Sequence, residues 1–244
     1  FMPFLEEKYN LGGSPEKRYL SGHSSGGWAS LWLLIQNPDS FSGVWSLAPD
    51  PIDFNNFQTA NLYSENGNML FYENGSPRPI ARQGEEAILF APEFVAMDDT
   101  LLDGGQIGSF EWAFSPQGEN GRPLKMFDRE TGSVIPEVAE YWKRYDIRKF
   151  LEEHWDELAP KLSGKINIIA GGLDTFYLEQ PVIDLGEFFA SKNFDAMIRV
   201  IEGGNHGAVF RASVIVEMDE WFAKRLGLVN KQTPQLGPQP ISTR

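Results

Sequence analysis

Short apolar runs alternate with glycine- and proline-rich breaks at both ends of this chain, whereas the middle has no regular alternation. Short apolar runs bounded by turn residues are typical of buried strands, and longer ones are typical of buried helices. Parallel strands joined by a crossover helix form a βαβ unit, so the pattern predicts an α/β fold with a parallel sheet flanked by helices. The predicted strands are 18–21, 42–48, 165–170 and 196–201, and the predicted helices are 1–9, 28–35, 179–192 and 208–226.

The middle of the chain is rich in Gly, Asn, Pro and aromatic residues, and it reads as one long mixed insertion into the α/β pattern. We therefore divide the chain into a first core part at 1–52, an insertion at 53–164, a second core part at 165–228 and a disordered tail at 229–244. Two helices of the insertion are predicted at 136–145 and 147–162. Aromatic side chains of the insertion, Trp112 among them, either form its private core or line a substrate pocket.

The turn Gly22-His23-Ser24-Ser25-Gly26 fits the G-x-S-x-G nucleophile elbow, in which a serine sits on a strained strand-to-helix turn. The pentapeptide alone is a weak match, but here an apolar strand precedes it and a long apolar helix follows it. The glycines are expected where a Cβ would clash with the neighbouring backbone. The competing interpretation is a glycine-rich turn before a buried helix, with no chemistry.

Two further polar residues follow the last two predicted strands. Asp174 ends the sequence Gly-Gly-Leu-Asp, and His206 lies in Gly-Gly-Asn-His-Gly. The chain order Ser24, Asp174, His206 is that of the α/β-hydrolase triad, in which histidine is the base. The other histidines have different interpretations: His23 packs locally in the elbow, and His154 lies in the middle of a predicted helix.

Asp50 is the alternative acid, because it ends the strand that follows the elbow helix. Carboxyl ends of parallel strands share one edge of the sheet, so both Asp50 and Asp174 are expected near the serine. Asp174 is preferred, since its strand neighbours the one that carries His206.

Together the elbow, the Asp174 sequence and the His206 sequence resemble the Putative esterase family of α/β hydrolases, which includes esterase D, enterochelin esterase, and feruloyl and acetyl-xylan esterases. The resemblance covers residues 1 to about 226, although the insertion matches poorly. It implies the C-terminal part of an α/β-hydrolase fold, with Ser24 as nucleophile, His206 as general base and acid, and Asp174 as orienting acid. The backbone N–H of Ser25 is the implied oxyanion donor.

His23, Trp112 and Tyr177 are further candidates for contacts with the oxyanion or the substrate. Family members have several strands and an oxyanion loop before the elbow, whereas here few residues precede it. Because the chain also begins with Phe and has no signal peptide, we expect an N-terminally truncated chain, with its localisation open.

The 244 residues are 41% apolar and carry a formal charge of −13. This charge argues against nucleic acid or an anionic membrane as partner, and suits a small neutral substrate better. The family resemblance implies that this small-molecule substrate is an ester. Zero cysteines exclude disulfides and thiolate nucleophiles. Scattered histidines predict no metal, and no cofactor is expected. The oligomeric state is left open.

The sequence thus predicts a serine carboxylic-ester hydrolase that forms an acyl-enzyme, acting on acylated carbohydrates as one option. A prolyl-oligopeptidase-type peptidase or an acyltransferase shares the elbow and triad. A non-catalytic binding protein on the same fold is the third interpretation.

Overall fold

The computed structural model describes residues 1–101 and 105–228. The strands are β1 (Tyr19–His23), β2 (Gly43–Leu47), β3 (Pro79–Gln83), β4 (Glu86–Phe90), β5 (Ile166–Gly171) and β6 (Met197–Ile201). Four of them form a parallel sheet in the order β1-β2-β5-β6, and β3 and β4 form an antiparallel hairpin.

Helices separate the successive strands of the parallel sheet. The α-helices are α1 (Met2–Tyr9), α2 (Ser25–Gln36), α3 (Ala91–Thr100), α4 (Gln106–Phe114), α5 (Pro136–Trp142), α6 (Ile147–Glu153), α7 (Trp155–Leu162), α8 (Glu179–Ser191) and α9 (Ala212–Arg225). Short 3-10 helices occupy Pro15–Lys17, Phe54–Asn56, Lys143–Tyr145 and Ala208–Phe210. In the described ranges, no helix combines the length and the apolar content that a bilayer span requires.

The two central strands, β2 and β5, are buried along their whole length. Their apolar side chains are covered on both faces, which is why they read as uninterrupted apolar runs. The register pairs Val44 with Ile166 and Ile169 with Arg199, so the carboxyl ends of all four strands lie along one edge. The predicted parallel sheet flanked by helices is therefore confirmed.

The sheet and the insertion have separate hydrophobic cores. Leu31 and Leu34 of α2 pack with Ile168 of β5 in the core of the sheet. The second core consists of residues between Phe54 and Trp142. Trp28, on the helix that follows the elbow, packs against both cores.

Hydrogen bonds join the start of the insertion to residues 146–148 in its last third. Asp146 is fully buried and accepts from the Phe54 N–H at 2.8 Å and from the Tyr63 hydroxyl at 2.8 Å. The Arg148 N–H donates to the Ile52 carbonyl at 2.9 Å. Residues 52–54 and 146–148 are therefore held side by side, although Phe54 and Asp146 lie 92 positions apart along the chain.

Some local predictions were wrong. The helix expected at 147–162 is two helices, and His154 lies at the break between them rather than within a helix. The β3–β4 hairpin was missed, although apolar residues flank a turn at Gly84, whose positive φ of 62° suits glycine. The predicted disordered tail, 229–244, lies outside the described residues.

By its internal contacts the chain forms two units. Residues 1–209 contain the sheet, the insertion and the two cores. The second unit begins at Phe210, and its described part contains α9.

Candidate active site

The elbow between β1 and α2 holds Ser24 in an unusual backbone conformation, with φ 57° and ψ −123°. A positive φ is sterically costly for a residue with a Cβ, so the surroundings must hold this turn in place. They do so through the backbone: the Ser24 N–H donates to Leu47 at 2.9 Å, and its carbonyl accepts from Trp28 at 3.0 Å and Asp50 at 3.1 Å. The expected strained strand-to-helix turn is confirmed.

The two motif glycines differ in their surroundings. A Cβ on Gly22 would lie 2.0 Å from the carbonyl oxygen of Gly26, so the backbone crossing requires glycine there. A Cβ on Gly26 itself would meet nothing within 4 Å. The steric reason given for the motif glycines is therefore confirmed for Gly22 and wrong for Gly26.

Asp174 and His206 lie together at the ends of β5 and β6. His206 Nδ1 is 2.8 Å from Asp174 Oδ2, and the Asp174 side chain has no exposed surface. The other carboxylate oxygen, Oδ1, accepts from the Phe176 N–H at 2.9 Å. The two loops are tied by the Leu173 N–H, which donates to the Gly204 carbonyl at 2.8 Å.

This contact determines the tautomer of His206. A carboxylate oxygen is an acceptor, so the Nδ1 of His206 carries the proton and Nε2 is left as an acceptor facing away from Asp174. An imidazole held in this way can take a proton at Nε2 and become an imidazolium stabilised by the buried carboxylate.

His23 packs against His206, which lies 183 positions further along the chain. The two ring centroids are 4.4 Å apart, and His23 Nε2 donates to the His206 carbonyl at 3.2 Å. Burial lowers the pKa of His23, and the hydrogen bond to the His206 carbonyl opposes that shift. A neutral His23, with its proton on Nε2, therefore holds the His206 carbonyl through this hydrogen bond.

Asp50 contacts the serines rather than a histidine. Its Oδ1 accepts from the Ser24 hydroxyl at 3.2 Å, and its Oδ2 accepts from the Ser25 hydroxyl at 2.5 Å. Burial raises the pKa of Asp50, and the two hydroxyl hydrogen bonds oppose that shift. The structure thus places one carboxylate on the serine pair and the other, Asp174, on His206.

A cavity of about 290 Å³ opens beside Ser24. Its walls come mainly from the insertion and are mostly apolar. The lining residues are Ser24, Asp50, Pro51, Gln58, Ile80, Ala81, Leu89, Phe94, Gln106, Ile107, Phe110, Phe176 and Leu178.

The remaining candidates have different surroundings. Trp112 is 51% exposed and does not line this cavity, whereas Phe110 of the same helix does. Tyr177 stacks with Arg82, whose guanidinium carbon lies 4.5 Å from the ring centroid. Ser25 is the first residue of α2, where backbone N–H groups have no intrahelical acceptor and can bind an anion. Within 1–101 and 105–228, no group of three or more acidic or histidine side chains is arranged to hold a metal ion.

A family model described as Putative esterase matches residues 1–216. Among solved structures, a ferulic acid esterase is 14% identical, with a TM-score of 0.51 over 93% of this chain and 59% of that one. The fluorophosphonate-binding serine hydrolase F (FphF) of Staphylococcus aureus is 15% identical, with a TM-score of 0.44 over 91% of this chain and 60% of that one. No curated protein sequence matches.

The chain therefore spans 59% and 60% of the lengths of these two solved structures. The likeness to the first shows the α/β-hydrolase fold. Because the family model matches 216 consecutive residues, the chain belongs to the Putative esterase family of α/β hydrolases.

Proposed function

We propose that this chain carries the catalytic residues of a serine carboxylic-ester hydrolase. The observation that supports it best is the hydrogen bond of 2.8 Å between His206 and the fully buried Asp174, at the same sheet edge as the strained Ser24. A nucleophile on an elbow, a histidine with a free Nε2 and a buried orienting carboxylate are the parts that acyl transfer from an ester requires. Membership of an esterase family agrees with this assignment.

In the reaction, the Ser24 hydroxyl first turns from Asp50 towards His206 Nε2. His206 takes the hydroxyl proton as Ser24 Oγ attacks the ester carbonyl, and Asp174 stabilises the imidazolium. The N–H of Ser25 donates to the oxyanion of the tetrahedral intermediate. His206 returns the proton to the leaving alkoxide, which gives the acyl-enzyme. Water, activated by the same histidine, then releases the carboxylic acid and regenerates Ser24.

The cavity beside Ser24 favours an uncharged acyl group. Its walls include the apolar side chains of Leu89, Phe94 and Phe110, so binding an apolar acyl group there removes apolar surface from water. Its volume of about 290 Å³ suits a group larger than acetyl. Asp50 also lines it, and a carboxylate there disfavours an anionic acyl group. Acylated carbohydrates are the proposed natural substrates, and a ferulic acid esterase is among the solved structures that share the fold.

Active-site labelling of the full-length protein tests this proposal. Ser24→Ala should abolish labelling by a fluorophosphonate and lower kcat on p-nitrophenyl acetate by about 10⁴- to 10⁶-fold. Ser42→Ala is the matched control, because Ser42 donates to the Pro15 carbonyl at 3.0 Å at the opposite sheet edge. Labelling of another serine, or full esterase turnover by Ser24→Ala, would overturn the assignment.

A further inference from the structure

The β3–β4 hairpin of the insertion reaches the turn that carries Asp174. We propose that Arg82, on β3, is a positioning residue that fixes this turn and so holds the Asp174–His206 pair in register with Ser24. The proposal rests on the proposed function, because it assigns Arg82 a role in the same reaction.

Arg82 binds the backbone of the acid turn twice. Its Nε donates to the Asp174 carbonyl at 2.9 Å, and its own N–H donates to the Thr175 carbonyl at 2.8 Å. The Tyr177 N–H also donates to the Asp174 carbonyl, at 3.1 Å. The Asp174 carbonyl oxygen thus accepts one hydrogen bond from its own turn and one from the insertion.

The guanidinium makes two more contacts on the same loop. It forms an ion pair with Glu179, the first residue of α8, with 11% of the Arg82 side chain and 15% of the Glu179 side chain exposed. It also lies 4.5 Å from the ring centroid of Tyr177, which has a φ of 59°. Such a conformation is costly for a non-glycine residue, so the turn benefits from an outside support. Arginine suits this place because its planar group can donate in several directions while stacking on a ring.

The position of the turn determines the geometry of the base. Asp174 Oδ2 binds His206, so a displaced Asp174 backbone displaces or frees the imidazole. On the same strand, Ile80 and Ala81 line the cavity beside Ser24. One strand therefore lines the cavity through two residues and supports the acid turn through the third, which links the insertion to the chemical step.

Arg78 provides a matched control. It precedes β3, its Nε donates to the Phe71 carbonyl at 3.1 Å, and its guanidinium stacks on Tyr72 at 4.3 Å. It also donates to the Thr59 carbonyl. Like Arg82, Arg78 therefore donates to backbone carbonyls and stacks on a tyrosine, but these contacts lie within the insertion.

Kinetics of the full-length protein with p-nitrophenyl acetate test the role of Arg82. Arg82→Gln should lower kcat by about 10- to 100-fold, the size of effect expected from a misplacement of about 1 Å, and leave KM within about twofold. Arg82→Lys should recover part of the loss, since it keeps the charge opposite Glu179. The downfield proton resonance of His206 Nδ1–H should broaden or shift in Arg82→Gln. Arg78→Gln should lower the melting temperature without changing kcat or this resonance.

The outcomes separate this proposal from the proposed function. If Ser24→Ala is inactive but Arg82→Gln has wild-type kcat, or loses no more than Arg78→Gln, the positioning role is wrong and the nucleophile stands. If Ser24→Ala remains active, the proposed function itself fails. Should Arg82→Gln not fold, Glu179→Gln decides, because it keeps the shape and removes only the charge. A lower kcat at unchanged KM supports the role of Arg82, and unchanged kcat overturns it.

Discussion

The two glycines of the elbow motif should respond in opposite ways to the same substitution. In Gly22→Ala, the new Cβ would start 2.0 Å from the Gly26 carbonyl oxygen and 2.9 Å from the Gly27 nitrogen. Ordinary contacts begin at 3.4 Å, so the strand and the helix must separate by more than 1 Å at this crossing. The atoms that would have to move are backbone atoms on both sides, and no side-chain rotation relieves the clash.

The magnitude follows from this displacement. Overpacking a well-packed site costs about 1–3 kcal/mol, and a crossing of two backbones lies at the upper end. With roughly 2–4 °C per kcal/mol for a domain of this size, Gly22→Ala should lower the melting temperature by about 6–12 °C. Ser24 shifts with the elbow, so kcat on p-nitrophenyl acetate should fall by about 10²-fold or more.

Gly26→Ala is the matched variant, because position 26 lies in the first turn of α2 with open space where the methyl group would go. An alanine that fits without strain stabilises a protein by about 0.4–1 kcal/mol, chiefly by restricting the unfolded chain. The melting temperature should therefore rise by roughly 1–4 °C with kcat largely kept. Thermal unfolding and ester hydrolysis measure both. Equal damage from the two variants would refute this account of the elbow.

Two further predictions concern the walls of the site. Because burial raises the pKa of Asp50, its charge destabilises the folded protein as pH rises from the unfolded pKa through the folded one. Asp50→Asn should therefore have a higher melting temperature than the wild type at pH 7, and the two melting temperatures should converge near pH 3. A difference in melting temperature that stays constant with pH would contradict a raised pKa for Asp50. Leu89→Trp should fill the cavity, lowering kcat/KM for p-nitrophenyl octanoate by about 10-fold or more while acetate hydrolysis is kept; equal losses on both esters would place the acyl group elsewhere.

The residues at the strand ends were predictable because of topology. The parallel sheet brings every carboxyl end to one edge, so finding Ser24, Asp174 and His206 after three separate strands was enough to group them. Topology alone does not distinguish Asp50 from Asp174, since Asp50 follows β2 at the same edge of the sheet. Only side-chain geometry separates the two carboxylates, with Asp174 on His206 and Asp50 on the serines.

The insertion was predicted less well because its walls depend on which face each helix buries. On α4, Phe110 and Phe114 are four residues apart and share a face, whereas Trp112 lies on the opposite face. That spacing could have directed attention from Trp112 to Phe110. Arg82 gave no comparable indication, because its contacts join residues 92 positions apart. Periodicity within a segment carries no information on such pairs.

The hydrogen bond between Phe54 and Asp146 also affects how the protein folds. β2 ends at Leu47 and β5 begins at Ile166, so pairing these central strands from an unfolded chain means closing a loop that costs about 4 kcal/mol in entropy for roughly 120 residues. Once Asp146 has bound the Phe54 N–H, only about 27 residues remain to be closed, and the entropic cost falls by roughly 1.3 kcal/mol. Because the insertion has its own hydrophobic core, we expect it to fold first and bring the two halves of the sheet together.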